Sequence, residues 1–224
     1  MIKDLSIFFK KETLVMGGLG FSAGLPIMLV FSTLSVWLVK AGVERSTVTL
    51  FSWAGFAYSF KFLWSPIVDK FRLPILNQYG HRRSWLFFSQ ILIIISILLA
   101  SLSDPQKNLS FMAISIVLIA FSSATQDIIV DAFRIESAPE KKQGPLASMY
   151  LAGYRVAMIV SGAGSLWLAS HFSGSVYQLE VWKNVYQIIS LFMLIGLIST
   201  FFAKEPLMLK KNNTKNFEQI KFTI

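Results

Sequence analysis

Asp127, Asp131 and Arg134 are the residues whose types and spacing could do chemistry in this chain. On a helix, spacings of four and three residues put all three side chains on one face, with Ser123 one turn earlier. The apolar run 109–124 that precedes them places this helix in a lipid bilayer. Ionisable groups at the end of such a helix need a polar cavity, a partner or the membrane interface. The pattern therefore predicts a functional site in a membrane protein.

The composition excludes several other classes of protein. Hydrophobic residues make up 54% of the chain and charged residues only 15%, a balance that soluble domains rarely show. The chain has no cysteine and two histidines, so we expect no disulfide, no cysteine nucleophile and no metal centre. The net charge of +9 does not indicate a nucleic-acid partner, because the basic residues lie beside hydrophobic spans. The lipid bilayer is the partner that the composition predicts.

Hydropathy predicts an all-α polytopic membrane protein with six transmembrane helices, since roughly 20 mainly apolar residues cross the hydrocarbon core. The spans are expected at residues 14–39, 47–68, 84–103, 108–130, 145–170 and 184–203. They form one transmembrane unit, 1–206, and the polar residues 207–224 are predicted to be a disordered cytoplasmic tail. Small residues in the first span, Gly17, Gly20 and Gly24, predict close packing against another helix.

The distribution of Lys and Arg predicts the orientation. With the amino terminus inside, fifteen of the 21 basic residues fall in cytoplasmic segments and four in external ones. The remaining two, Lys61 and Arg155, lie within spans. We therefore expect both termini in the cytoplasm.

The loop between the second and third predicted spans combines a small residue, an acid, a glycine and clustered bases: Ser65, Asp69, Lys70, Gly80, Arg82 and Arg83. Positive-inside sorting alone could account for such a loop. The loop also resembles the signature loop of the major facilitator superfamily, which acts as a conformational latch between two halves of the transporter. The resemblance is incomplete, because Ser65 replaces the usual glycine and residues 71–79 form an insertion.

Three motifs in order sharpen this resemblance: KFLWSP at 61–66, QDIIVDAFRIE at 126–136 and AGYRVAMIVSG at 152–162. The chain is similar in them to AmpG-type muropeptide permeases. The resemblance implies uptake of cell-wall turnover products, anhydromuramyl sugars with attached peptides, across the bacterial inner membrane and driven by protons. Members of this superfamily have two six-helix halves, each a 3+3 inverted repeat. The chain would supply one half and need a second half-chain or a copy of itself, unless it is a remnant that transports little.

Four residues are predicted to line the substrate or ion pathway: Lys61, Gln126, Asp127 and Arg155. Arg155 lies roughly 15 Å into the fifth span, where an unpaired arginine costs about 2.5–3.5 kcal/mol. We predict that it pairs with Asp127 or binds a substrate carboxylate; the alternative is an ion pair that only fixes helix register. Lys61 either snorkels or provides a second anion contact. Asp127 is the candidate carrier of the coupling proton, and no other cofactor is expected.

Asp131, Arg134 and Glu136 lie nearer the interface than Asp127. They are either a solvated cluster that ends the helix or a charge network with Arg82 and Arg83 that holds the cytoplasmic side closed. The partner of Asp69 belongs, by the resemblance, to the second half, so Asp69 is expected to lack a partner here.

Two other functional classes remain to be weighed. An intramembrane aspartyl protease would need acids on two facing helices and a Gly-x-Gly-Asp signature, whereas Asp127 and Asp131 share one helix. The sequence SGAG at 161–164 lies in mid-span and does not form a nucleophile loop. We therefore predict that the chain is not an enzyme, and a membrane interaction protein without transport activity is the alternative to a transporter.

Overall fold

The computed structural model describes residues 6–74, 76–173 and 176–206, and the regular structure in this part of the chain is entirely helical. Five helices are long and apolar enough to cross a membrane. We name them α1 (Lys11–Lys40), α3 (His81–Leu102), α4 (Leu109–Ser137), α5 (Glu140–Ser173) and α6 (Leu179–Phe202), and α2 is the broken segment 45–70 between the first two. The predicted tail, 207–224, lies outside the described residues.

The segment α2 covers the predicted second span but is not one continuous helix. Its α-helical pieces are Arg45–Leu50, Phe56–Ser59 and Ser65–Lys70, and 3-10 turns occupy Phe51–Gly55 and Lys61–Leu63. The backbone leaves the helical region at Phe60, where φ is −96° and ψ is 8°. Pro66 starts the last piece in its first turn, where a missing N–H is tolerated. A sixth membrane crossing therefore stays a prediction.

Helices α1 and α5 approach until their backbones touch. A Cβ atom at Gly20 would overlap the carbonyl of Tyr150, and one at Gly153 would overlap the carbonyl of Gly17. Gly24 lies in the same way against the backbone of Tyr154. Glycine at these positions therefore allows dispersion contacts between two whole backbones, as small residues do in membrane helix pairs.

Each of these two helices contains a π-helical turn, and the two turns face each other. The turns are Leu29–Thr33 in α1 and Val160–Gly164 in α5. A π turn frees backbone carbonyls that other groups must satisfy. The hydroxyl of Thr33 donates to the carbonyl of Ser161 at 2.8 Å, and the hydroxyl of Tyr186 on α6 donates to the carbonyl of Leu29 at 3.0 Å.

The core of the bundle combines apolar packing with two buried polar pairs. Trp37 of α1 stacks on Trp182 of α6 with ring centroids 5.9 Å apart. The hydroxyl of Thr200 donates to Oε1 of Gln90 at 2.9 Å, which joins α6 to α3. The amide Nε2 of Gln126 donates to the hydroxyl of Ser22 at 2.8 Å, which joins α4 to α1. The latter pair fixes the helical turn that carries Asp127.

Candidate substrate and ion pathway

An ion pair lies within the membrane-spanning part of the bundle. Nζ of Lys61, in the 3-10 turn Lys61–Leu63 of α2, is 3.9 Å from Oδ2 of Asp127 on α4. The Asp127 side chain is 16% exposed and that of Lys61 is 34% exposed. The second carboxylate oxygen of Asp127, Oδ1, is buried and has no hydrogen-bond partner among the described residues. The carboxylate can therefore accept one more proton or hydrogen-bond donor.

Polar side chains from three helices surround this ion pair. Tyr58 of α2 lies beside Ser123 and Asp127, and Tyr150 and Tyr154 of α5 also lie near Asp127. The sequence prediction missed the three tyrosines. The sequence does contain a signal for these tyrosines. Tyr58 precedes Lys61 by three residues and Tyr150 precedes Tyr154 by four. Residues at these spacings lie on the same face of a helix.

Gln126 is another of the four predicted pathway residues. Its side chain is fully buried, and its Nε2 donates to the hydroxyl of Ser22. Its Oε1 has no partner in the described part of the chain. The amide lies next to Asp127 in sequence but points into the bundle. The structure therefore gives Gln126 a place in the helix packing, with one free acceptor.

The predicted pairing of Arg155 with Asp127 is wrong. Asp127 is paired with Lys61, and Arg155 is exposed, with Nη1 4.0 Å from the sulfur of Met158. The position of Arg155 along the helix predicts its depth in the membrane. It does not predict the direction in which the side chain points around the helix. Tyr154, like Tyr150, is an α5 residue that lies near Asp127, and the residue after Tyr154 points about 100° away from it. Arg155 has no carboxylate partner among the described residues.

A second charged cluster joins the ends of α2, α3 and α4. Arg82 donates from Nη1 to Oδ1 of Asp69 at 2.7 Å. It also donates to both carboxylate oxygens of Glu136, at 2.6 Å and 3.0 Å, in a bidentate pair that is among the stronger kinds of hydrogen-bonded contact. Asp69, whose partner from a second half is absent by the resemblance, pairs here with Arg82 of the same half. The Arg82 side chain is only 11% exposed, which limits screening of these contacts by water.

Comparison with known proteins identifies the class of molecule to which this geometry belongs. The sequence profile described as Major Facilitator Superfamily matches residues 16–223. The chain belongs to the major facilitator superfamily. This family and the permease relatives described next point to a transporter and not to an enzyme.

Three relatives place the chain within this superfamily. It is 37% identical over 202 residues to the anhydromuropeptide permease of Escherichia coli K12, which covers 90% of this chain and 39% of the permease. It is 38% identical over 161 residues, 72% of this chain and 39% of the relative, to putative transporter AmpG 4 of Rickettsia felis. An uncharacterized protein of Haemophilus influenzae is 33% identical over 215 residues, 96% of this chain and 48% of the relative. The resemblance to AmpG-type permeases is confirmed, and the chain spans two fifths to half the length of these relatives.

The other residues predicted for the signature loop between α2 and α3 make contacts only with nearby groups or are exposed. Gly80 has a φ of +101°, a conformation that favours glycine, and a Cβ there would strike Glu205. The carboxylate of Glu205 accepts the backbone N–H groups of Arg82 and Arg83 at 2.8 Å and 3.0 Å and so caps α3. The hydroxyl of Ser65 donates to the carbonyl of Phe62 at 3.1 Å, and Lys70 is exposed.

The other predicted network residues are not joined to Arg82. Asp131 and Arg134 pair with each other at 3.7 Å, one turn apart on α4. Arg83 donates to the carbonyls of Thr200 and Phe201 at 3.2 Å and 3.0 Å, so it caps the end of α6. The predicted network thus divides into an Asp69–Arg82–Glu136 cluster, a local pair on α4 and the cap that Arg83 places on α6. Glu205 was missed from the sequence, although an acid next to Pro206 at the end of the last span is a visible feature.

Proposed function

We propose that this chain is the amino-terminal half of a transporter that takes up anhydromuropeptides across the bacterial inner membrane in symport with protons. The observation that carries the proposal is the Lys61–Asp127 pair, with one carboxylate oxygen unpartnered, in a chain similar to an anhydromuropeptide permease. Ionisable residues within membrane spans mark substrate paths and proton relays far more often than they serve packing.

The geometry suggests how proton and substrate are coupled. A proton bound at Oδ1 of Asp127 neutralises the carboxylate and removes its attraction for Lys61, 3.9 Å away. The released ammonium is then free to bind an anionic group of the substrate, while Tyr58 and Tyr154 supply hydroxyl groups beside it. Loss of the proton restores the ion pair and displaces the substrate. Lys61 therefore pairs in turn with the Asp127 carboxylate and with an anionic group of the substrate.

The Asp69–Arg82–Glu136 cluster fits a latch that holds one conformation of the cytoplasmic side. Its contacts of 2.6–3.0 Å join the end of α2 to the start of α3 and the end of α4. Asp69 is half exposed, so it is the member of the cluster that a moving second half could reach. In the proposed cycle this contact is exchanged when the halves rock.

The proposal includes a partner, because the substrate cavity of this superfamily lies between two halves. The partner is a second half-transporter segment or a second copy of this chain. The described residues leave large apolar side chains exposed on α2, among them Trp53 at 66% and Phe62 at 62%. Such a face suits either lipid or a second bundle.

The proposed topology can be tested with single cysteines, because the chain contains none of its own. Glu44 and Lys70 flank α2 and are both exposed. If α2 crosses the membrane and both termini are inside, a membrane-impermeant maleimide labels Glu44→Cys in intact cells and Lys70→Cys only after permeabilisation. Labelling of both variants in intact cells would show that α2 does not cross.

Uptake of labelled anhydromuropeptide into inverted or right-side-out vesicles without other permeases tests the function itself. We expect the 224-residue chain, alone or with a second half, to accumulate the substrate when a pH gradient is imposed and to lose accumulation when the gradient is dissipated. Arg155→Ala serves as the pathway variant and is expected to lose uptake at normal abundance. Abundant, correctly inserted chain that never supports uptake would favour the alternative of a membrane interaction protein.

A further inference from the structure

A groove between α1 and α5 is lined by neither residue of the Lys61–Asp127 ion pair. Its volume is about 470 Å³. Met28 and Ser32 of α1 form one wall, and Arg155, Met158 and Leu166 of α5 form the other. Its floor is made by Gly162 and Ala163, which belong to the π turn of α5.

The facing π turns explain why a groove exists at this level. Toward the amino-terminal end of α1, Gly20 and Gly153 bring the two backbones into contact and leave no space. At the π turns each helix is locally wider, and the floor residue Gly162 has no side chain to fill the gap. A Cβ at Gly162 would be 3.4 Å from Cγ of Met28, so a larger side chain there would occupy the groove.

The chemistry of the lining selects one kind of ligand group. Arg155 is the charged residue of the groove, and its guanidinium has no carboxylate partner in the described part of the chain. Contact between a charged arginine and hydrocarbon at this depth is unfavourable in free energy, so Arg155 needs a water-filled cavity and an anion. The remaining walls are mainly methionine, isoleucine and leucine side chains, which suit aliphatic groups and offer sugar hydroxyls few hydrogen-bond partners.

Polar groups suited to a sugar lie near Tyr154. Tyr154 is near both Asp127, of the polar cluster around Lys61, and Arg155, which lines the groove. The polar cluster offers hydroxyl, carboxylate and ammonium groups from Tyr58, Asp127 and Lys61. A ligand with a sugar at one end and a peptide at the other could contact both sites at once.

We infer that the α1–α5 groove binds the peptide part of the substrate, with a peptide carboxylate on Arg155 and aliphatic side chains against Met28, Met158 and Leu166. This inference rests on the proposed function and adds to it a division of the substrate between two sites. Planar guanidinium groups bind carboxylates in a bidentate manner, and such charge-assisted hydrogen bonds are roughly twice as strong as neutral ones.

The test compares three labelled ligands on the purified 224-residue chain in lipid nanodiscs. They are the anhydro-disaccharide alone, the same sugar with a short peptide, and that glycopeptide with its carboxylates converted to amides. We expect the wild-type chain to bind the carboxylate form roughly 10-fold more tightly than the amide form. In Arg155→Gln most of this preference should be lost, because only the anion contact proposed for Lys61 remains. The ratio is independent of the fraction of protein that is folded.

Two further variants keep the test decisive. Gly162→Leu fills the groove without removing Arg155, so it should weaken binding of both peptide-bearing ligands relative to the sugar alone. Lys183→Gln is the matched control, because this lysine pairs with Glu180 at 2.8 Å at the start of α6, and it should keep the wild-type ratio. A carboxylate preference that is undiminished in Arg155→Gln, or is absent from wild type, overturns the inference while sugar binding still supports the proposed function. Failure of wild type to bind any of the three ligands would overturn both.

Discussion

Gly153→Ala is expected to lower the free energy of unfolding by about 3 kcal/mol, at the upper end of what overpacking usually costs. The added methyl group would overlap the carbonyl of Gly17, and neither backbone can move without separating α1 from α5. This helix pair also carries the two facing π turns and the Thr33 contact to Ser161. Thermal unfolding of the purified chain in detergent, followed by loss of the monodisperse peak, measures the effect.

Gly164→Ala is the matched control on the same helix. The nearest atom to a Cβ at Gly164 is the carbonyl oxygen of Ile159, at an ordinary distance of 3.7 Å. Since alanine is favoured over glycine in helices by roughly 0.5–1 kcal/mol, this variant should be unchanged or slightly more stable. Equal stability of the two variants would contradict the close α1–α5 contact.

Replacement of either member of the Lys61–Asp127 pair is expected to have the largest effect on transport. Lys61→Met leaves the Asp127 carboxylate without its counter-charge, which should cost about 2 kcal/mol of stability, less than for a fully buried pair because Lys61 is one-third exposed. Asp127→Asn removes the proton-binding carboxylate and should reduce gradient-driven uptake by roughly 100-fold, the lower end of what a positioned proton-transfer group contributes to a reaction rate. Uptake at matched abundance and thermal stability are measured for each variant.

The double variant Lys61→Met with Asp127→Asn separates the structural role from the functional one. It has no uncompensated charge, so stability should return close to that of the parent chain. Transport should not return, since neither the carboxylate nor the ammonium is present. Uptake at the parental rate in Asp127→Asn, or in the double variant, would show that the pair only positions helices.

The long apolar helices could be predicted from the sequence, because the length of an apolar run depends on the thickness of the bilayer and not on tertiary contacts. The breaks in α2 could not be predicted from the sequence. Phe60 leaves the helical region in the middle of an apolar segment, and only Gly55 and Pro66 in α2 are residues that disfavour a helix. The close contact at Gly17 and Gly20 was predictable as small-residue packing, but its partner, Gly153 on α5, depends on which helices become neighbours.

The charged residues show a similar division. Their identity and depth follow from the sequence, whereas their direction around each helix depends on packing. Arg155 was placed at a plausible depth, but Tyr154 takes the direction toward Asp127, and Lys61 from the broken segment supplies the ion pair. Asp69 was expected to lack its partner from a second half, and the structure places Arg82, at the start of α3, 2.7 Å from it. A contact made by a loop that reverses direction cannot be read from helical periodicity.

Saturable binding of labelled anhydromuropeptide to the purified chain, with and without a second half, tests the central claim most directly, because it needs no gradient. We expect binding by the parent chain and by Lys183→Gln, and a large loss of affinity in Lys61→Met. The result that would contradict the account is a folded chain that binds no anhydromuropeptide, or one whose affinity is the same with and without Lys61.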